Sequence, residues 1–183
     1  MKMDFSRFKD LKRKRFPGSL DPSEIYSFIH LIKKNKIDVV IESGRQYGYS
    51  TYFIGKFCEK NNVEFVSIDW NTDKKISLFS KKILSKINIK YINGNFYFVI
   101  KKILDGYKYK KVALLVDGPK GLIAHSFCYN LFFYYKNLKY VFFDNTLKNS
   151  SSRFDFFLFK KINSFQDLGF SSNILKKLNF FKQ

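Results

Sequence analysis

Apolar positions along this chain switch repeatedly between a helical and a strand-like period. Asp21, Pro22, Ser23 and Glu24 make a helix start, with an Asp N-cap, Pro in the first turn and Glu three residues after the cap. Ile25, Phe28, Ile29 and Ile32 then form one apolar face, and Lys33, Lys34 and Asn35 suit the end of that helix. The run Ile37 to Ile41 predicts a first strand, and Phe53, Ile54, Phe57 and Cys58 predict the helix after it. Val63 to Asp69 reads as a second strand. Lys74 to Lys86 is helical, with Ile76, Phe79, Ile83 and Leu84 inward. Ile87 to Ile92 predicts a third strand closed by Gly94 and Asn95, followed by a helix on Phe96, Val99, Ile100, Ile103 and Leu104. Val112 to Val116 is apolar throughout, as in a strand buried on both faces. A helical face of Ala124, Phe127, Cys128, Leu131, Phe132 and Tyr135 separates it from a fifth strand, Tyr140 to Phe143.

Five βα units in succession predict an α/β fold, with a parallel sheet and helices on both faces. Beyond Asn145 the rhythm breaks. Residues 148–152 read as a polar loop, and the aromatic-rich stretches 153–162 and 169–181 as a terminal antiparallel hairpin. The expected architecture is a doubly wound, mostly parallel sheet of seven strands in a single domain, 1–183. Its parts are a basic arm (1–20), a preceding helix (21–34), a ligand-binding core (37–146) and the hairpin (153–183).

Composition narrows the class. The 183 residues suffice for one full core, and 45% hydrophobic content excludes global disorder. No apolar run reaches the roughly 20 residues that span a bilayer. Met1 to Arg15 has no apolar signal-peptide core, so a cytoplasmic protein is expected. The formal net charge is +19. Abundant Lys, Asn, Ile, Phe and Tyr, with scarce Ala, Gly and Pro, match AT-rich coding, which yields lysine without selection for a polyanion. The field still attracts acidic partners. Its densest cluster, Lys12 to Arg15, reads either as a solvated arm or as a contact for phosphate, nucleic acid or an acidic glycan. Cys58 and Cys128 fall on apolar helix faces and read as buried thiols. His30, beside the first helical stripe, reads as structural.

In an open α/β sheet, ligands bind outside the carboxyl ends of the strands. Those ends are Glu42 to Gly48, Asp69 and Trp70, Gly94 and Asn95, Asp117 to Gly121, and Asp144 and Asn145. All are polar, acidic or glycine-rich. Asp69 follows the second glycine of the first turn by roughly twenty residues, the place where an acid accepts hydrogen bonds from ribose hydroxyls. A dinucleotide turn needs a third glycine; here Gly44, Arg45, Gln46, Tyr47 and Gly48 carry bulk between two. A nucleoside cofactor without a pyrophosphate fits better.

The chain resembles the class I S-adenosylmethionine-dependent methyltransferases. The matching residues are Glu42, Gly44, Gly48, Ser50 and Thr51, the strand end Ser67 to Asp69, Gly94 and Asn95, Val116 to Gly121, and Phe143 to Asn145. Within that superfamily the ends of strands four and five are similar to metal-dependent catechol-type O-methyltransferases, and the Asp117 to Gly121 element also to sugar-tailoring enzymes. The resemblance implies a Rossmann-like fold. It implies that Glu42, Gly44 and Gly48, with Ser50 beside them, hold the methionine end of S-adenosylmethionine, and that Asp69 holds its ribose. Trp70 and Asn95 would lie near the adenine, and Asp117 would border both ligands. It further implies that Asp117, Asp144 and Asn145 bind Mg²⁺ and that Lys120 takes the proton from the substrate hydroxyl.

That chemistry is coherent. Three oxygen donors, two of them anionic, suit a hard cation, and a cation beside a lysine lowers the pKa of a hydroxyl. His125 offers an alternative base, or a surface or capping residue. The departures from the family pattern are the bulky Arg45, Gln46 and Tyr47, and Asn95 where an acid is common. The expected activity is O-methylation of a hydroxylated small molecule or saccharide, with Mg²⁺ as an accessory. The alternatives are an RNA methyltransferase that uses the Lys12 to Arg15 arm, which nothing resembling an RNA-binding module supports, and a non-catalytic binding or scaffold subunit. The aromatic tail (Phe154, Phe156, Phe157, Phe159) reads as sheet core, with a homodimer interface as the alternative.

Overall fold

The computed structural model describes residues 20–144, with the backbone alone for Ser23. Five helices and five strands alternate among them: α1 (Pro22–Lys34), β1 (Val39–Ser43), α2 (Tyr49–Lys60), β2 (Glu64–Asp69), α3 (Lys74–Leu84), β3 (Lys90–Asn93), α4 (Phe96–Gly106), β4 (Val112–Val116), α5 (Leu122–Tyr134) and β5 (Leu138–Phe143). The strands form one sheet in the order β3-β2-β1-β4-β5, every pair parallel. The chain winds outward from β1 in one direction and then returns to β4 for the other half. The switch point therefore lies between β1 and β4, and their carboxyl ends open a cleft there.

Side chains alternate across the pleat, so each central strand feeds two cores. Val40, Phe65, Ala113 and Leu115 meet Ile25, Phe28 and Ile32 of α1, Ile54 and Cys58 of α2, and Leu84 of α3. Val39, Ile41, Val66, Ile68, Leu114 and Val116 meet Phe96, Ile100 and Leu104 of α4 and Cys128 and Leu131 of α5. Both cysteines are buried free thiols.

Several predicted boundaries move. β1 runs to Ser43 instead of ending at Ile41, because Glu42 and Ser43 stay paired with Ser67 and Ile68 on one side and with Leu115 and Val116 on the other. Ile87 and Ile89 precede β3 and fill the core from a loop, which is why their apolar run resembles a strand. β5 begins two residues earlier than expected, at Leu138. The predicted seven-stranded sheet is represented by five strands among the described residues, and the predicted hairpin (153–183), the basic arm at Lys12 to Arg15 and Asn145 lie outside them.

α1 lies along β5 and antiparallel to it. Phe28 packs on Phe142 with ring centroids 5.5 Å apart, and the Tyr140 hydroxyl donates to Asn35 Oδ1 at 2.7 Å near the far end. That direction places the N-terminus of α1 at the carboxyl end of the sheet. No helix of the described residues is long and apolar enough to cross a membrane.

Candidate active site

The turn after β1 is shaped by backbone that side chains resist. Gly44 has φ +100°, and a Cβ there would stand 2.7 Å from the Gly118 nitrogen, so the β1 and β4 turns touch backbone to backbone. Gly48 has φ +84° and opens α2, packed where a Cβ would be 3.0 Å from Leu84 Cδ1. Gln46, between them, also holds a positive φ of 45°. The Ser43 hydroxyl donates to the Gly118 carbonyl, and the Asp117 and Gly118 nitrogens donate to the Ser43 carbonyl at 2.9 and 3.0 Å. The two strand ends at the switch point are thus tied together.

Glu42 does not face the cleft. Its side chain is fully buried, accepting from Ser50 Oγ and Thr51 Oγ1 at 2.6 Å each and from Ser67 Oγ at 3.0 Å. Burial pushes its carboxyl above the usual range; the three hydroxyls and the Arg45 charge oppose that shift. Ser50 is buried with it. Both residues, expected to hold the methionine end of a cofactor, lie buried beneath the turn, because the first strand carries Glu42 inside the sheet.

Asp69 ends β2 at the edge of the cleft. Burial raises its carboxyl, while the Arg45 charge and the backbone N–H groups of Gln46 and Trp70, which it accepts, pull the other way. Trp70 beside it is 68% exposed, leaving its indole face open to a planar partner. Asn95 caps α4 by accepting the Tyr97 N–H at 3.0 Å. One edge of the cleft therefore carries a carboxylate, an exposed aromatic ring and a helix start.

The ends of β4 and β5 carry the second half of the site. Lys120 Nζ lies 3.1 Å from Asp117 Oδ1 and 2.9 Å from Asp144 Oδ2. The lysine side chain is half exposed and that of Asp144 is 3% exposed, so the ammonium is the group that solvent reaches. Glu24, from the first turn of α1, joins this cluster. It accepts the Asp21 N–H at 2.7 Å as the capping residue the sequence predicts, and its carboxyl feels the Asp144 charge. Asp144 is also close enough to Asp117 to act on its carboxyl. Burial, then the neighbouring acids, raise both Glu24 and Asp117 far above the ordinary carboxylate range. Burial alone would lower Lys120, but Asp144 and Asp117 outweigh it and hold the ammonium charged.

This donor set suits an ammonium between two acids. Among the described residues no three acidic, His or Cys side chains converge as metal ligands. Lys120 already stands between the two carboxylates expected to bind Mg²⁺, and the third expected ligand, Asn145, is outside the described residues. The described residues thus hold two of the three expected Mg²⁺ ligands, both paired with Lys120. The same ion pairs oppose the expected role of Lys120 as a base, since a lysine so held keeps its proton. His125 is buried edge-on against Phe143, centroids 4.3 Å apart, rather than at the surface.

Sequence reasoning missed Glu24 as a site residue and read Arg45 only as bulk. No local signal marks Glu24, whose capping role fully accounts for it in the sequence.

The fold is shared with solved structures of methyltransferases. The solved structures that resemble the chain include the S-adenosylhomocysteine-bound methyltransferase PaMTH1 of Podospora anserina, at 17% identity and TM-score 0.58, over 80% of this chain and 63% of that one. Another is the TDP-rhamnose 3'-O-methyltransferase CalS11 of calicheamicin biosynthesis, at 12% identity and TM-score 0.55, over 88% and 84%. A third is a provisionally assigned caffeoyl-CoA O-methyltransferase of Staphylococcus aureus, at 19% identity and TM-score 0.55, over 97% and 78%. The chain spans less than two thirds of the length of the fungal protein. No protein-family model and no curated protein sequence matches it.

Proposed function

We propose that the protein is an S-adenosylmethionine-dependent methyltransferase that methylates a hydroxyl of a small molecule or saccharide. One observation carries this reading: the backbone contact of Gly44 with Gly118 sets a nucleoside-type half-site against an acid–lysine half-site across the switch point. The likeness to O-methyltransferases of this fold, a sugar enzyme among them, supports it.

Asp69 would accept the ribose hydroxyls, Trp70 and Asn95 would border the adenine, and the Gly44 to Gly48 turn would leave room for the methionine end at the start of α2. S-adenosylmethionine, when bound, supplies a methyl group on a sulfonium. The acceptor oxygen forms a bond to that methyl carbon as the carbon–sulfur bond breaks, leaving S-adenosylhomocysteine. The hydroxyl proton would pass to Asp117 in its ionised form, which is the major form only above about pH 8 and which binds a proton more tightly than an ordinary carboxylate. Lys120 keeps its charge and offers a hydrogen bond to the oxygen as negative charge develops on it. No covalent enzyme intermediate is needed, so positioning dominates the acceleration.

Turnover of labelled S-adenosylmethionine with a panel of polyhydroxylated acceptors tests the reading. Asp117→Asn should abolish transfer while leaving S-adenosylhomocysteine binding within a few-fold. Methylation of RNA but of no small hydroxylated acceptor would contradict the assigned substrate class.

A further inference from the structure

Arg45 occupies the middle of the first turn, where bulk would be expected to crowd a ligand. It is only 6% exposed, and its side chain runs under the turn. Nη1 donates to the Ser67 carbonyl at 3.1 Å, Nη2 donates to Asn93 Oδ1 at 3.1 Å, and the guanidinium carbon lies 5.2 Å from the Tyr91 ring centroid. One side chain thus ties the turn after β1 to the ends of both β2 and β3. The Ser67 hydroxyl reaches Glu42 at 3.0 Å, so guanidinium and buried carboxylate belong to one polar layer below the turn. Above that layer Gln46 takes its positive φ, and Asn93, held by the guanidinium, is the β3 partner of Asp69 in the sheet register.

We propose that Arg45 is a positioning residue for the methyl donor: by locking residues 44–48 onto β2 and β3, it fixes the direction of the Asp69 carboxylate. A planar fork suits this task, because two parallel donors in fixed geometry resist rotation where a single ammonium would not. The turn keeps its shape without a third glycine since its central side chain points away from the cleft. The inference rests on the methyl-donor reading.

Calorimetric titration with S-adenosylhomocysteine tests it on the full chain, with circular dichroism confirming that each variant is folded at the titration temperature. Arg45→Ala should weaken binding about tenfold or more, and Arg45→Lys should recover part of the loss. Asn93→Ala, an exposed change that removes one acceptor, should give a smaller loss in the same direction. In an Asp69→Ala background the Arg45→Ala change should add little, because residues acting through one another are non-additive. Wild-type affinity in folded Arg45→Ala, or full additivity with Asp69→Ala, overturns the inference and leaves the methyl-donor reading standing. If Arg45→Ala does not fold, unchanged affinity in both Arg45→Lys and Asn93→Ala overturns it. A wild-type chain that does not bind at millimolar ligand overturns both.

Discussion

At the scale of single residues, the buried charges define how this chain departs from an ordinary α/β core. Glu42 is a carboxylate with no exposure and three hydroxyl donors. Glu42→Gln keeps its volume but turns an amide donor toward hydroxyls that need acceptors, and should cost about 1–3 kcal/mol. A shifted urea midpoint at constant m would show this, and an unshifted midpoint would contradict it. The acid cluster makes a prediction of defined sign. Glu24 and Asp117 are raised from 4.5 to about 7 and from 3.8 to about 8. Between those limits the folded chain binds more protons than the unfolded chain, so their contribution is complete below about pH 4 and is lost as pH rises toward 8. Protonation elsewhere adds to a large positive charge and acts against this trend, so the informative quantity is a difference. The stability of wild type minus that of Asp117→Asn should fall between pH 5 and pH 8. A flat difference would contradict the raised proton affinity of Asp117.

At the scale of elements, the β1–α2 connection is the most constrained piece of backbone. Gly44→Ala meets both a φ of +100° and the Gly118 nitrogen 2.7 Å from the new Cβ, so backbone has to move. A loss of about 2 kcal/mol or more is expected, with weakened ligand binding, because the shift opens the junction of both half-sites. An Ala variant with wild-type melting temperature and affinity would contradict this. The sequence signalled these elements well where their period was clean, and less well where a residue had two roles. The order of strands and helices was legible, as was the glycine turn. Glu42 was not legible as a strand residue, because a carboxylate inside a parallel strand makes sense only once Ser50, Thr51 and Ser67 converge on it. Glu24 was legible as a helix cap only. That α1 lies antiparallel to β5, which brings Glu24 to Asp144, is a tertiary fact without local trace. Arg45 reads as bulk in a turn unless the direction of its side chain is known.

At the scale of the whole molecule, a chain of net charge +19 holds an acidic cluster at the ends of β4 and β5. The surface field and the site chemistry therefore have opposite signs. The long-range field steers anionic ligands toward the protein, whereas the cluster at Asp117 and Asp144 is compensated locally by Lys120. Lys120 thus pairs with both carboxylates expected to bind Mg²⁺. Chelation with EDTA should leave turnover unchanged, and loss of turnover restored by Mg²⁺ would contradict the lysine assignment.

The central claim is that the cleft at the switch point holds a methyl donor through Asp69. Calorimetric titration of the wild-type chain and of Asp69→Ala with S-adenosylhomocysteine, in the presence of EDTA, tests it most directly. Saturable binding by the wild type, weakened about tenfold or more by Asp69→Ala, is the predicted result, the size expected for losing charge-assisted hydrogen bonds to ribose. No binding by folded wild-type protein at millimolar ligand, or binding that Asp69→Ala does not change, would contradict it.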